Sequence, residues 1–516
     1  MRAVPGITSP ARDSTTVRSH WREHTHWALN FHSKLEFIKM KKIVYIISII
    51  LVSLTSCKDF LSLSPEYQIN EINYYQSEGD YETAVIGIYN LLQGLHNLTI
   101  MYPAELLTDN TEINSYTWGS VVAEFDEAEV TSANSTINSI WTSCFTAIAY
   151  SNNILSRIDD IEMSESKQNQ FQGEALFLRA YCYFYLVRLY GDVPVVNVAF
   201  RSPDEISSFD MSRQPVSAIY TVIKDDLTNA ATLLDGIELS RGRASKGAAK
   251  TLLGKVYLTL NEYENAAGIL KEVIDMNAYS LVDDYGSLFD GTNEESDESI
   301  FEIGYLSGDL GEGNSFSSSY TPGLFNMAIF PNNMNGNGYM CPTQDLFDSY
   351  EEGDERKTAS VIDSVLLTDG TYEYTLCGLK FVDFSTGTSG DGGVNYTALR
   401  YADVLLMYAE ALNESNQTSD ALPYLNEVRE RAGLEDLSGL SKEEFFLAME
   451  KERRVEFFHE GHRWFDLLRT DRAKAVLNAY FESTGSSYSL DDYELLMPIP
   501  DDELEISPEL EQNDGY

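Results

Sequence analysis

The sequence predicts a mostly α-helical protein built on tetratricopeptide-like helix pairs and interrupted by one long loop-rich block. Three observations carry this. Apolar residues recur at helical spacing from Asp80 to about Leu477. Two segments far apart in the chain repeat one helix-turn-helix layout. Between them, from about residue 279 to 397, the composition turns rich in Gly, Ser and Asn.

Taken in order, DYETAVIGIYNLLQGL places Val85, Ile88, Leu92 and Leu95 on one stripe. STINSIWTSCFTAIAYSNNILSRI aligns Ile137, Trp141, Phe145, Ile148 and Asn152 on one face. QGEALFLRAYCYFYLVRLYGDVP is apolar nearly all round, which marks a central buried helix; Gly191 stops it and Pro194 follows. AAKTLLGKVYLTLNEYENAAGILKEVI holds L-G-x-x-Y (Leu253, Gly254, Tyr257), a turn, then Ala266 and Leu270. YADVLLMYAEALNESNQTSDALPYLNEVRERAGL repeats it, Leu405 and Leu406 matching Leu252 and Leu253, and Ala421 lying near Ala267 in the alignment. Small residues let paired helices approach, and each pair buries its face only by stacking on neighbours. The copies lie about 150 residues apart, so they are not tandem in sequence.

The intervening block carries scattered aromatic residues that a flexible linker lacks, so it reads as ordered loops with short strands such as ESIFEIGY. A second loop region, Asn97 to Glu127, sets Tyr116 and Trp118 among polar residues. Loops held on a rigid scaffold are where binding sites concentrate.

Charge narrows the function. There are 36 Lys+Arg against 81 Asp+Glu, a net charge of −45. Such a surface repels nucleic acid, whose binding needs cations that displace phosphate counterions, and it repels anionic lipid. The acids are dispersed and 43% of residues are hydrophobic, so the chain is globular rather than a disordered acidic tail.

MKKIVYIISIILVSLTSC begins at Met40, with Lys41 and Lys42 before an apolar run, Ile43 to Val52, too short to span a bilayer. It reads as a signal peptide, residues 40–56. LTSC, ending at Cys57, resembles the lipobox of bacterial lipoproteins, in which the Cys becomes the lipidated first residue. Residues 1–39 fit neither signal nor domain and read as a misassigned upstream extension. Cys144 and Cys182 sit in apolar helical stretches and read as buried free thiols. Sequence leaves open the disulfide state of these two and of Cys341 and Cys377.

The stretch KERRVEFFHEGHRWFDLLR, Lys451 to Arg469, tests for metal chemistry. H-E-x-x-H binds zinc because i and i+4 share a helix face and the Glu between activates water. Here His459 and His462 are i and i+3, Glu460 points elsewhere, and no third ligand follows at suitable spacing. A zinc hydrolase is thus a distant alternative, and the stretch reads as a charged, aromatic-lined helix whose Arg453, Arg454 and Arg463 meet buried carboxylates. The acid-rich loop Asp290 to Glu298 is a weak candidate for calcium, with a spacing that departs from an EF-hand. No phosphate-binding loop, nucleophile elbow or distinct carboxylate dyad is present, and no cofactor is expected.

Five stretches then occur in one order: GEALFLRAYCYFYLVRLYGDVPVV, the Ala248 to Ile274 unit, RYADVLLMYAEALN with LNEVRERAGL, ERRVEFFHEGHRWFDLLR, and YELLMPIPDDELEISPELEQNDGY. Together they resemble the SusD/RagB family of Bacteroidetes outer-membrane lipoproteins. Ser507 stands where that family usually has Asn before Pro, and Asp514 where Pro is common. The resemblance implies a single domain over 57–516, with about four tetratricopeptide-like helix pairs as its core and the loop-rich remainder packed on one side. It implies display on the outer face of the outer membrane through lipid on Cys57, and partnership with a TonB-dependent SusC-like transporter. It also implies capture of an oligosaccharide or polysaccharide without catalysis; a same-family binder of peptide or another nutrient is the alternative.

The family's binding residues vary with ligand, so the candidates come from chemistry. Sugars stack their C–H faces on aromatic rings while polar side chains read the hydroxyls. Trp118 and Tyr116 form the first candidate platform, Tyr305 and Tyr320 the next, with Asn110 as a hydrogen-bonding neighbour.

Overall fold

Polar caps start the main helices where the apolar stripes begin. In a computed structural model, which describes residues 74–114, 120–331 and 334–516, the scaffold helices are α1 (Glu78–Gly94), α2 (Ser135–Arg157), α3 (Glu165–Tyr190), α4 (Val216–Leu233), α5 (Lys246–Thr259) and α6 (Tyr263–Asp275). After the irregular block come α7 (Tyr401–Glu414), α8 (Thr418–Arg431), α9 (Lys442–Glu456), α10 (Arg463–Arg469) and α11 (Ala473–Thr484). Asn134, Ser164, Ser245 and Ser441 each accept a hydrogen bond from a backbone N–H of the first turn that follows them. These caps satisfy donors that the helices cannot pair internally. The signal segment, Cys57, Tyr116 and Trp118 lie outside the described residues.

Each helix packs on the next, α1 on α2 through to α5 on α6. The chain then leaves the superhelix, and when it returns α7 packs directly on α6 and α8 on α7. The two repeat units that stand far apart in sequence are therefore neighbours in space. α3 is the buried centre, with residues such as Phe177, Tyr181 and Tyr183 on different faces all enclosed. Cys144 and Cys182 are buried free thiols, as are Cys341 and Cys377. Among the described residues no helix is long and apolar enough to cross a membrane.

The repeat's glycine has a steric reason. A Cβ on Gly254 of α5 would lie 2.5 Å from Leu270 Cδ2 and 2.6 Å from its Cγ on α6. Gly173 is equally confined, 2.6 Å from Leu234 Cγ. The helix pair approaches as closely as its smallest residue permits.

The irregular block, residues 276–400, holds one longer strand pair, whose second strand rejoins the helices. Ser299–Ile303 runs antiparallel to Tyr396–Arg400, which continues straight into α7. The remaining strands are two-residue pairs. One correction concerns Lys451 to Arg469. The helix expected there is two, α9 and α10, because His459 (φ 63°) and Gly461 (φ 71°) take left-handed backbone conformations that end one helix and redirect the chain.

Gly254→Val is expected to cost about 1–3 kcal/mol by overpacking the α5–α6 contact, read as a lowered melting temperature. Gly268→Ala is the control. Its Cβ would meet nothing within 4 Å, so the melting temperature should hold or rise.

Candidate functional site

A buried ionic network fixes where the loop block sits. Arg400, at the end of the returning strand, donates to Glu298 (2.7 Å), to Glu456 (2.6 Å) and, through Nε and Nη2, to both carboxylate oxygens of Glu460 (2.6 and 2.9 Å). Arg431 of α8 pairs with Glu298 and Glu456. Arg356 joins Asp354 (2.8 Å), Glu452 (2.5 Å) and Glu456 (2.8 Å). Lys380 donates to Glu460 and to the Glu456 carbonyl, both at 2.7 Å. All these side chains are buried. Burial alone would raise the Glu456 pKa, but Arg431, Arg400 and Arg356 hold it well below the usual carboxylate range. Burial likewise opposes the charge of Arg400, yet Glu460, Glu456 and Glu298 hold its pKa well above the ordinary value.

The H-E-G-H turn belongs to this network. Glu460 is the carboxylate clamped by Arg400 and Lys380. The His459 ring is buried between Tyr320 and Phe458, both ring centroids at 3.8 Å, and its Nε2–H donates to the Met340 carbonyl (3.0 Å). Burial pushes its pKa well below the usual value, so it is neutral. His462 stacks on Phe457 at 4.5 Å. The two imidazoles are committed to separate packing layers, and Glu460 to cations. The arginines do meet carboxylates as expected: Arg453 binds Asp403 and Asp466, Arg454 binds Asp109 and Asp345, and Arg463 binds Asp109.

Three of the candidate residues fall inside this scaffold, a correction to their expected role. Tyr320 is wholly buried against His459 and Phe316. Tyr305 is buried edge-on to Phe316, its hydroxyl donating to the Gln93 carbonyl (2.8 Å). Neither ring offers a face to a ligand arriving from solvent. Asn110 is buried too, donating to Glu105 (3.2 Å) and accepting from Arg454 Nε (2.9 Å). In the acid-rich loop, Glu298 serves Arg400 and Arg431 while Asp290 accepts from Thr292 and Glu294 from the Asn395 backbone. Among the described residues no group of three or more His, Cys, Asp or Glu is placed to hold a metal ion.

Among the described residues the most exposed rings lie on and beside a hairpin that was not among the expected sites. Val365–Leu366 pairs with Tyr372–Glu373, and Asp369 and Gly370 (φ 85°) close the turn. Asp369 Oδ1 accepts from the Thr371 N–H (2.9 Å) and hydroxyl (2.6 Å). Tyr372 is 59% exposed and Tyr374 84%. They stand two residues apart along an extended segment, where alternate side chains share a face. A third segment joins the hairpin edge: Ala328 N–H donates to Leu366 O (2.8 Å) and Thr368 N–H to Asn326 O (2.9 Å), which brings Phe325, 71% exposed, alongside.

Asn114 ties the second loop region to this edge. Its backbone N–H donates to Gly338 O (2.9 Å), its side-chain oxygen accepts from Gly323 N–H (3.3 Å), and its Nδ2 donates to the Thr375 hydroxyl (3.3 Å). The segment carrying Tyr116 and Trp118 begins at the next residue and lies outside the described residues. The signal that marks the hairpin in sequence is Asp-Gly-Thr followed by Tyr-Glu-Tyr, a tight turn and then a two-residue aromatic period.

A superhelix of helix pairs that presents a separate block of loops defines a repeat-scaffold class. Within that class the chain belongs to the SusD/RagB family. The SusD family model matches residues 367–516, and a second model, described as starch-binding associating with outer membrane, matches residues 59–258. The chain is 27% identical to the SusD-like protein P25 of Formosa agariphila, over 92% of this chain and 98% of that one. A SusD superfamily protein from Bacteroides vulgatus superposes with a TM-score of 0.74 at 26% identity, covering 86% of this chain and all of that one. A laminarin-binding SusD-like protein superposes with a TM-score of 0.74 at 28% identity, with the same coverage of 86% and 100%.

Two predictions test the network. Arg400→Met leaves buried carboxylates uncompensated and is expected to cost about 3–5 kcal/mol, measured by denaturant unfolding. Glu105 gives the pH test. Burial raises its pKa from 4.5 to about 7, against the bonds it accepts from Asn110 and the Gly461 N–H and against the charge of Lys380. A raised acid favours the fold when protonated, so its contribution is whole below pH 4.5 and is lost as pH rises through about 7. Glu105→Gln should flatten that part of the melting-temperature profile between those two pH values; an unchanged slope would assign it to other groups.

Proposed function

We propose that the protein is a cell-surface nutrient-binding lipoprotein that captures an oligosaccharide or polysaccharide and passes it, uncleaved, to a TonB-dependent SusC-like transporter of the outer membrane. The observation that carries this is the solvent-facing aromatic edge formed by Phe325, Tyr372 and Tyr374, which Asn114 joins through the Thr375 hydroxyl. Large rings left exposed on a rigid, heavily cross-linked block have the form of a stacking surface for sugar C–H faces. The exposed amides beside them suit the hydroxyls at the sugar edges. The family description of starch binding with outer-membrane association supports the reading, as does the solved relative described as binding laminarin. Lipid attached to Cys57 would tether the domain at the membrane, and a signal segment at 40–56 fits that route.

Calorimetric titration of the protein against a glycan panel tests this. At least one glycan should bind and remain intact, and Tyr374→Ala and Trp118→Ala should each weaken binding by about 0.5–1.5 kcal/mol, the value of a lost aromatic stack. A screen in which peptides bind and glycans do not would replace the ligand class.

A further inference from the structure

The aromatic edge has an electrostatic character that the proposed glycan role leaves open. The sequence contains no Lys or Arg between residues 97 and 156, the stretch that holds Asn114, Tyr116 and Trp118. Between residues 276 and 399 it contains three: Arg356, Lys357 and Lys380. Arg356 and Lys380 are wholly buried and already neutralised, the first by Asp354, Glu452 and Glu456 and the second by Glu460. Lys357 is half-buried with its ammonium 3.6 Å from the Phe347 ring centroid, and it lines a cleft shared with Asp283, Glu351 and Glu352. The cations that approach Asn110 from α9 and α10 are Arg454, held by Asp109 and Asp345, and Arg463, held by Asp109. Exposed acids flank the rings instead: Asp369 and Glu373 lie on the hairpin itself, Asp363 two residues before it, and Glu112 two residues before Asn114.

We infer that this edge selects uncharged glycans and rejects polysaccharides carrying sulfate or uronate groups. The inference rests on the glycan-binding role proposed above. Sulfates and carboxylates are recognised by charge-assisted bonds from Arg or Lys, and an anion brought onto a surface without such a partner loses hydration with nothing in exchange. Here Arg356 and Lys380 are spent inside the fold, and Lys357 lies over the Phe347 ring in a cleft lined by acids. Residues 115–119 and 332–333 add none, being Ser, Tyr, Thr, Trp, Gly and two Asn.

The test is calorimetric titration of the full chain with neutral glycans (β-glucan, starch, xylan, galactomannan) and anionic ones (alginate, polygalacturonate, chondroitin sulfate), with calcium and with chelator. It is run at about 20 mM and about 500 mM salt, since the second screens the long-range repulsion of the acidic surface and leaves only the local lack of cations. The expected result is binding of at least one neutral glycan, changed less than about twofold by salt, lost tenfold or more when Tyr372→Ala and Tyr374→Ala are combined, and no binding of the anionic set at either salt. Binding of any anionic polysaccharide, with or without calcium, overturns the charge selection while the glycan role stands. Neutral binding that survives the double substitution overturns the assignment to this edge. Failure of every glycan to bind overturns the glycan role and this inference with it.

Discussion

The fold depends on one arrangement of buried charge. Glu456, the last residue of α9, and Glu460, in the turn that follows, receive Arg400 from the returning strand, Arg431 from α8, and Arg356 and Lys380 from the loop block. Glu298, beside the outgoing strand, completes the set. Buried ion pairs of this kind bring little net stability over well-packed apolar groups, because desolvation offsets attraction. Their geometric demand is where they matter. A guanidinium fork donates to carboxylates in few orientations, so six chain segments separated in sequence are held in one relative position. A loop-rich block with only two-residue strands besides its entry pair has little else to set its place.

That constraint explains how a superhelix tolerates an excursion of more than a hundred residues. α6 and α7 stack as consecutive members of the repeat, and the chain between them passes through two adjacent antiparallel strands, the second leading directly into α7. The closing entropy of a long loop grows only slowly with its length, so the insertion costs the scaffold little once its ends are clamped. The block is then free to vary at its outer edge while its inner side is fixed by Arg356, Lys380 and the packed rings of Phe289, Phe316, Phe381 and Tyr396. Binding surfaces on rigid supports gain affinity because little ordering is left to do on association.

Legibility in the sequence divides along the same line. The stripes of α1 and α2, the all-round apolar α3 and the small residues of the α5–α6 pair were readable because helix burial follows a local period. The role of Arg453, Arg454 and Arg463 was readable in kind, since arginines in an aromatic-rich stretch need carboxylates, but their partners were not. Tyr305 and Tyr320 show the limit. Both lie in a polar, glycine-rich stretch that has the composition of a surface, yet both are interior because Gln93 and His459 arrive from elsewhere and Phe316 of the same stretch packs against both rings. Asn110 went the same way, through Glu105 and Arg454.

The sequence by itself determined the helical repeat, the acidic surface, the family and the absence of metal-protease spacing at His459 and His462, because each is written in local periods, composition or order of motifs. Tertiary structure alone decided which aromatic rings face water. Burial is a property of what packs against a side chain, and the segments that cover Tyr320 or leave Tyr374 bare come from tens to hundreds of residues away. The same holds for charge: a count of lysines and arginines is visible in the chain, but only the folded network shows that Arg356 and Lys380 of the loop block are already paired.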